Sequence, residues 1–312
     1  MYFEQAYQGN NKWWAYVVTL IGVGLGYFLG GVPLLWQVQT AQQASGLSQL
    51  EFQNQLSQRG LAVLPLNENM LLALIVLPFF VVTAVLYFCI TKVHKKNFQK
   101  MLTVREKFDW SRVGIGFGIW FILACILTFA LLDRNDYIYQ FAISRFIPLL
   151  FVGIFFVPVG AIAEEIFFRS YLMKAVFLIA KSPFVSLLVI SVMFGLLHGS
   201  NPEMQFGLFK FLSIYIFFGL ILGVMAILDG GIELPIGIHV ANNVFVALIL
   251  STNDGMFSTP SIFQTSVSTL LEILPVLLPS LSIIVFISLF FKYKWSIKIL
   301  FSQRKEMSKN NS

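Results

Sequence analysis

The chain has 312 residues, of which 57% are hydrophobic, 16% aromatic and only 12% charged, against roughly 25% charged in a soluble domain. With a mean hydropathy of +0.80, it has too few charges to build a hydrated shell, which excludes a water-soluble globular protein and makes lipid its medium. The net charge of +6 does not indicate a nucleic-acid partner, because Lys and Arg lie in short stretches beside hydrophobic runs, as the positive-inside rule describes.

A spanning helix needs about 20 mostly apolar residues. In chain order the candidates run from Trp13 to Trp36, Met70 to Ile90, Val113 to Leu132 and Phe146 to Ala163. Four more follow, from Phe184 to Leu197, Phe206 to Leu228, Ile232 to Leu250 and Thr269 to Phe291. The runs are continuous rather than alternating, so they are helices and not strands of a barrel. The expected class is all-α: a polytopic integral membrane protein with about eight transmembrane helices in one bundle. A single membrane domain is expected over 1–304, with a polar tail at 305–312.

The first run is too long for the apolar part of a cleavable signal peptide. The Gln-rich stretch from Gln37 to Gly60 is expected to form a short amphipathic helix outside the membrane. Lys92, Lys95, Lys96, Lys100, Arg105, Lys107 and Arg112 fall between the second and third runs, and Lys292, Lys294, Lys298, Arg304, Lys305 and Lys309 follow the eighth. With eight spans both basic stretches share a side with both termini, which should be the cytoplasm. Cys89 and Cys125 sit inside hydrophobic runs and form no disulfide or zinc pattern.

Ionisable residues inside spans are costly and usually functional. In Ala161 to Leu172 (AIAEEIFFRSYL), Glu165 and Arg169 are four apart, with the acid N-terminal, and can pair. Glu164 is rotated about 100° away, so the same arginine does not serve both acids. The competing reading is a helix end at the membrane interface. In SVMFGLLHGSNP, Phe194 stands one turn before His198, and Gly199 to Pro202 break the helix. An interfacial histidine is the alternative there. In LPIGIHVANNVF, His239 and Asn243 are i, i+4 and share a face, as a cavity lining or as an interhelical hydrogen bond.

Together these segments supply a carboxylate, two imidazoles and an amide. Such groups can activate water and stabilise an oxyanion. Glu164, His198 and His239 also make a possible zinc set, although no H-E-x-x-H helix occurs.

At these residues the chain resembles the CAAX prenyl protease 2-like family of intramembrane peptidases, also called CPBP or Abi. The family's E-E-x-x-x-R motif reads Glu164-Glu165-Ile166-Phe167-Phe168-Arg169, and its F-x-x-x-H motif reads Phe194-Gly195-Leu196-Leu197-His198. The H-x-x-x-N motif reads His239-Val240-Ala241-Asn242-Asn243. The similar region covers about 146–250. The resemblance implies a helical bundle in which Glu164 and His198 activate water, His239 and Asn243 hold the oxyanion, and Arg169 fixes Glu165. It implies a peptide, lipidated or membrane-embedded protein substrate in the bilayer, and leaves open whether zinc takes part.

Two other classes compete: a catalytically idle scaffold or immunity-type protein, and a proton-coupled transporter. The intact polar set favours the enzyme over the scaffold, and the lack of repeated discontinuous helices counts against the transporter. One tension remains within the predicted topology. Glu164 falls near the inner end of the fourth span and His198 near the outer end of the fifth, so they meet only if the fourth span is long and tilted toward Lys174.

Overall fold

Residues 2–253 and 255–301 are described by a computed structural model; the tail expected at 305–312 lies outside the described residues. A short 3-10 turn, Glu4–Tyr7, precedes α1 (Trp13–Ser45) and α2 (Gln49–Arg59), and α3 (Glu68–Phe88) follows. The Gln-rich stretch is therefore divided: its first part prolongs α1 and the rest forms α2. Ser48 caps α2 in a reciprocal capping box with Glu51, satisfying two donors at the helix start. The hydroxyl and backbone N–H of Ser48 hold the Glu51 carboxyl below its ordinary value.

Next come α4 (Phe98–Leu102) and α5 (Trp110–Leu131), then α6 (Ile143–Phe155), α7 (Val157–Glu165) and α8 (Met173–Ala180). A π-helical segment, Ile166–Leu172, joins α7 to α8. The chain continues through α9 (Pro183–Leu197), α10 (Leu208–Asp229), α11 (Glu233–Leu248), α12 (Val267–Tyr293) and α13 (Lys298–Phe301). Three strands of three residues accompany the helices: β1 (Tyr137–Tyr139), β2 (Leu250–Thr252) and β3 (Phe263–Thr265). β3 lies between the others, antiparallel to β1 and parallel to β2. This small sheet ties the α5–α6 connection to the α11–α12 connection, so the all-α class holds with a minor β element.

Among the described residues six helices are long and apolar enough to cross a bilayer. The fifth and seventh expected spans are present as shorter apolar helices, Pro183–Leu197 and Glu233–Leu248. At 1.5 Å per residue these reach only about 22–24 Å, short of a hydrocarbon core of about 30 Å. Six of the eight runs thus form full-length spans. α11 is buried along most of its length, so its apolar sequence answers to protein neighbours as much as to lipid. On the outside, Ile179, Phe209 and Phe291 are 86%, 85% and 74% exposed, which suits a surface bathed in acyl chains.

The fourth run behaves differently. Ile143–Ala180 forms one 38-residue apolar helical stretch, about 57 Å long. Glu164 and Glu165 therefore sit near its middle, not at its end, and the tension between the fourth and fifth spans disappears.

Close helix crossing sets the position of α11. A Cβ on Gly237 would come 2.1 Å from the Val113 carbonyl oxygen of α5, and one on Gly116 would lie 2.7 Å from that of Leu234. Only glycine permits this approach. It presses the start of α11 against α5 two residues before His239.

Candidate active site

Five polar side chains from three stretches of helix converge inside the bundle. The centre is the α7–π segment. Glu165 Oε1 accepts from Arg169 Nη1 at 2.7 Å, and both side chains are almost fully buried. The i, i+4 geometry survives the change from α to π hydrogen bonding. Arg169 Nη2 also donates to the Gly219 carbonyl of α10 at 3.3 Å, and its guanidinium lies 4.5 Å from the Phe194 ring centroid. A desolvated guanidinium over an aromatic face gains from the ring quadrupole.

The same Glu165 oxygen receives His239 Nδ1 at 2.8 Å. A carboxylate paired with arginine can only accept, so His239 Nδ1 carries a hydrogen. His198 Nδ1 lies 2.7 Å from the Phe194 carbonyl oxygen, and a carbonyl also only accepts. Both rings are thereby fixed with Nδ1 protonated and Nε2 turned toward the remaining acid. Glu164 Oε2 stands 3.9 Å from His198 Nε2 and 3.7 Å from His239 Nε2.

Glu164 Oε2 is buried with no hydrogen-bond partner, and so is Glu165 Oε2. A buried unsatisfied carboxylate oxygen costs about 1–3 kcal/mol or more. The Glu164 oxygen facing the two imidazoles can thus take a hydrogen-bond donor. The side chains of Glu164 and His198 keep 18% and 17% of their exposure, whereas Glu165 and His239 keep 0% and 4%. One acid is fully buried in its pair, and its sequence neighbour keeps part of its side chain exposed.

Phe194 does more than stand one turn before His198. Its ring centroid is 4.5 Å from that of His198 and 6.0 Å from that of His239. Asn243 lies one turn beyond His239 on α11 and is half-buried; its Oδ1 accepts from Asn242 at 3.3 Å. The structure thus assembles Glu164, Glu165, Arg169, Phe194, His198 and His239 directly, whereas the hydrogen bond of the Asn243 side chain is to Asn242.

A zinc ion held by Glu164, His198 and His239 would need ligand distances of about 2.0–2.2 Å, which places tetrahedral ligands about 3.3–3.5 Å apart. The observed 3.7 and 3.9 Å are wider. Among the described residues no group of three His, Cys, Asp or Glu is arranged to hold a metal ion. The set does not fit a closed zinc site as it stands.

Comparison with known proteins falls on these same elements. Residues 143–245 match the family model described as "Type II CAAX prenyl endopeptidase Rce1-like". The family resemblance read from the motifs holds over this core. The match begins at the first residue of the long fourth helix and ends two residues past Asn243. It spans the three motifs and leaves α1 to α5 and α12 outside. The chain is also 29% identical over 269 residues to the uncharacterized protein YyaK of Bacillus subtilis (strain 168), an alignment covering 85% of this chain and 87% of that protein. No solved structure matches.

Two features of the site were not apparent in the sequence. One is the docking of Tyr2 and Phe3 on the π segment and α8: Tyr2 donates its hydroxyl to the Arg169 carbonyl at 2.7 Å, and Phe3 stacks on Phe177 of α8 at 4.2 Å. The other is a polar group behind His198, formed by Tyr215, Glu203 and Asn201. An aromatic residue within an apolar run and an acid in a helix-breaking loop carry no distinguishing spacing.

Proposed function

We propose that this protein is an intramembrane peptidase that hydrolyses a peptide bond with water activated by Glu164 and His198. The observation that carries this reading is the unpartnered Glu164 Oε2 set opposite two imidazole Nε2 atoms at 3.7 and 3.9 Å. A water within about 2.8 Å of two acceptors holds them roughly 4–4.5 Å apart, close to the observed spacing. Such a water donates one hydrogen to Glu164 and the other to His198 Nε2. Its lone pair is then free to attack a carbonyl carbon.

In this scheme Glu164 takes the proton as the water oxygen bonds to carbon, and the carbonyl oxygen becomes an oxyanion. Glu164 then returns the proton to the departing nitrogen as the C–N bond breaks. His239 and Asn243 serve the oxyanion. Because His239 Nδ1 already donates to Glu165, that role requires a second proton on Nε2. Asn243 Nδ2 is a donor in either case. Substrates are peptides with lipidated or membrane-embedded segments that reach the site from the bilayer.

The test is turnover of a quenched fluorescent prenylated peptide by protein reconstituted in nanodiscs. Glu164→Gln keeps the shape but removes the base, and turnover is expected to fall about 10³-fold or more, within the range for general-base loss, with thermal stability unchanged. Zinc in stoichiometric amount, with activity lost on chelation and restored by zinc, would instead replace the water-only scheme.

The orientation is part of the same proposal. Six and eight are both even, so both ends of the described chain share a side with the Lys92–Arg112 stretch under either span count. The lysines there assign that side to the cytoplasm. A cysteine placed at Ser45, exposed at the end of α1, should react with an impermeant thiol reagent added outside. Labelling only from the inside would reverse the assignment.

A further inference from the structure

We infer that Tyr215, anchored by Glu203, is a positioning residue that holds the His198 ring in line with Glu164. This rests on the peptidase reading for its functional meaning, although the geometry stands by itself.

His198 is poorly held by its own helix. It is the C-cap of α9, and the chain turns away immediately through Gly199 and Ser200. Its Nδ1 bond to the Phe194 carbonyl fixes the tautomer but leaves the ring plane free to swing about that bond. Tyr215, from α10, supplies the missing constraint. Its ring stacks on the imidazole with centroids 4.3 Å apart and planes at 22°. With Phe194 at 4.5 Å, two aromatic rings flank the imidazole and limit its rotation. Nε2 is then directed at Glu164 Oε2.

The tyrosine is itself fixed at its far end. Its hydroxyl donates to Glu203 Oε1 in a short contact and accepts from Asn201 Nδ2 at 3.2 Å. Asn201 Nδ2 also reaches Glu203 Oε1 at 3.1 Å. Glu203 Oε2 accepts the Met256 backbone N–H at 3.2 Å, in the segment that follows β2. Glu203 is 7% exposed and forms no ion pair among the described residues. A buried carboxylate served only by neutral donors is a costly choice for stability. Here it occupies the one place from which it can clamp the phenol, the helix-breaking loop and the β2–β3 connection together.

The chain contains three histidines, so ¹⁵N-histidine labelling gives one signal pair for each of His94, His198 and His239. In nanodiscs the parent should show His198 as a single tautomer, with Nδ1 protonated and Nε2 unprotonated. Tyr215→Leu should broaden the His198 signals by exchange between ring orientations while those of His94 and His239 stay sharp and in place, which also reports that the fold is intact. Tyr215→Phe keeps the stack but loses the anchor to Glu203, so its His198 signals should broaden only as far as those of Glu203→Leu and less than those of Tyr215→Leu. Should Tyr215→Leu disturb the fold, Glu203→Leu, which frees the phenol without touching the ring, should broaden the His198 signals alone.

With the prenylated peptide, Tyr215→Leu should lower kcat ten- to a hundredfold with KM within about twofold, the penalty expected for a misaimed group. Tyr215→Phe should stay within about threefold of the parent. The proposal is overturned if His198 is unchanged in both Tyr215→Leu and Glu203→Leu, or if Phe and Leu at 215 lose turnover equally. Absence of turnover in the parent would instead overturn the peptidase reading, leaving the histidine signals to judge the positioning on their own.

Discussion

Among the described residues two clusters of ionic side chains are buried, and they are built to different standards. The outer cluster lies where α10 ends, α11 begins and the loop before α5 packs against both. Asp229 Oδ2 pairs with Arg105 at 2.8 Å, Asp229 Oδ1 with Arg112, and Trp295 Nε1 adds a hydrogen bond to Oδ1 at 3.2 Å. Glu233 Oε2 pairs with Arg105 at 3.2 Å, and its Oε1 accepts from the Asp109 backbone at 3.4 Å. Every carboxylate oxygen of Asp229 and Glu233 is served. In the inner cluster Glu165 Oε1 is served twice, yet one oxygen of each neighbouring acid has no partner.

The difference separates structure from chemistry. A cluster that exists to hold helices together is expected to satisfy its buried groups, because each orphan costs free energy. A cluster that must bind a reactant keeps a place open. The outer group closes the Gly230–Gly231 turn, where Gly230 adopts a left-handed φ of +75° and the Asp229 charge sits unfavourably at a helix C-terminus. Two arginines offset that charge. The inner group instead places an acid bound by Arg169 and His239 through one oxygen, with its other oxygen unpartnered, next to an acid that neither of them bonds.

The sharpest way to break this comparison is to open the closed part of the inner cluster. Arg169→Ala leaves Glu165 buried without its cation, at a cost on the order of 3–5 kcal/mol. It also removes the cation over Phe194 and the bond to Gly219. The variant should be depleted from the membrane or denature at clearly lower temperature in detergent, with turnover lost in parallel. A variant as stable and as active as the parent would mean the pair contributes little.

A milder change acts on the open part. Asn243→Ala should lower turnover of the prenylated peptide about a hundredfold, the usual loss for one oxyanion donor, while peptide binding and melting temperature stay near the parent's. Equal loss of binding and turnover would place Asn243 in substrate recognition. Because the Asn243 side chain bonds Asn242 rather than the assembled group, this measurement decides whether it belongs to the chemistry.

How much of this could be read in advance follows from spacing. Glu165 with Arg169, and His239 with Asn243, are i, i+4 pairs in otherwise apolar sequence, so their shared faces were legible, as was the all-α membrane class. The length of the fourth helix was less legible, because a Glu-Glu pair resembles a span end until His198 and His239 are seen to be waiting for it. The π segment left no mark in the sequence. Arg105 and Arg112 stood only as part of the basic stretch between spans, and Asp229 and Glu233 carried no signal, since the pairs that join them lie more than 100 positions apart. Tyr2 and Phe3 were equally silent, because nothing local predicts that a short stretch before the first span will pack on the π segment and α8.

The outer cluster should respond to mutation without touching chemistry. Arg105→Ala strips a cation from Glu233 and from one oxygen of Asp229, while Arg112 and Trp295 still hold the other. The expected loss is about 1–3 kcal/mol, that of buried polar groups left unsatisfied, with kcat per folded molecule unchanged. The smallest effect is the most discriminating. If the two clusters are separate units, Arg105→Ala and Glu164→Gln should combine additively in stability, within about 0.5 kcal/mol, as distant sites with no shared partner do. The cycle is measured by denaturation of the parent, both single variants and the double variant in one detergent. A larger coupling would mean that the turn between α10 and α11 transmits strain along α11 to His239, and the division between holding and reacting groups would then fail.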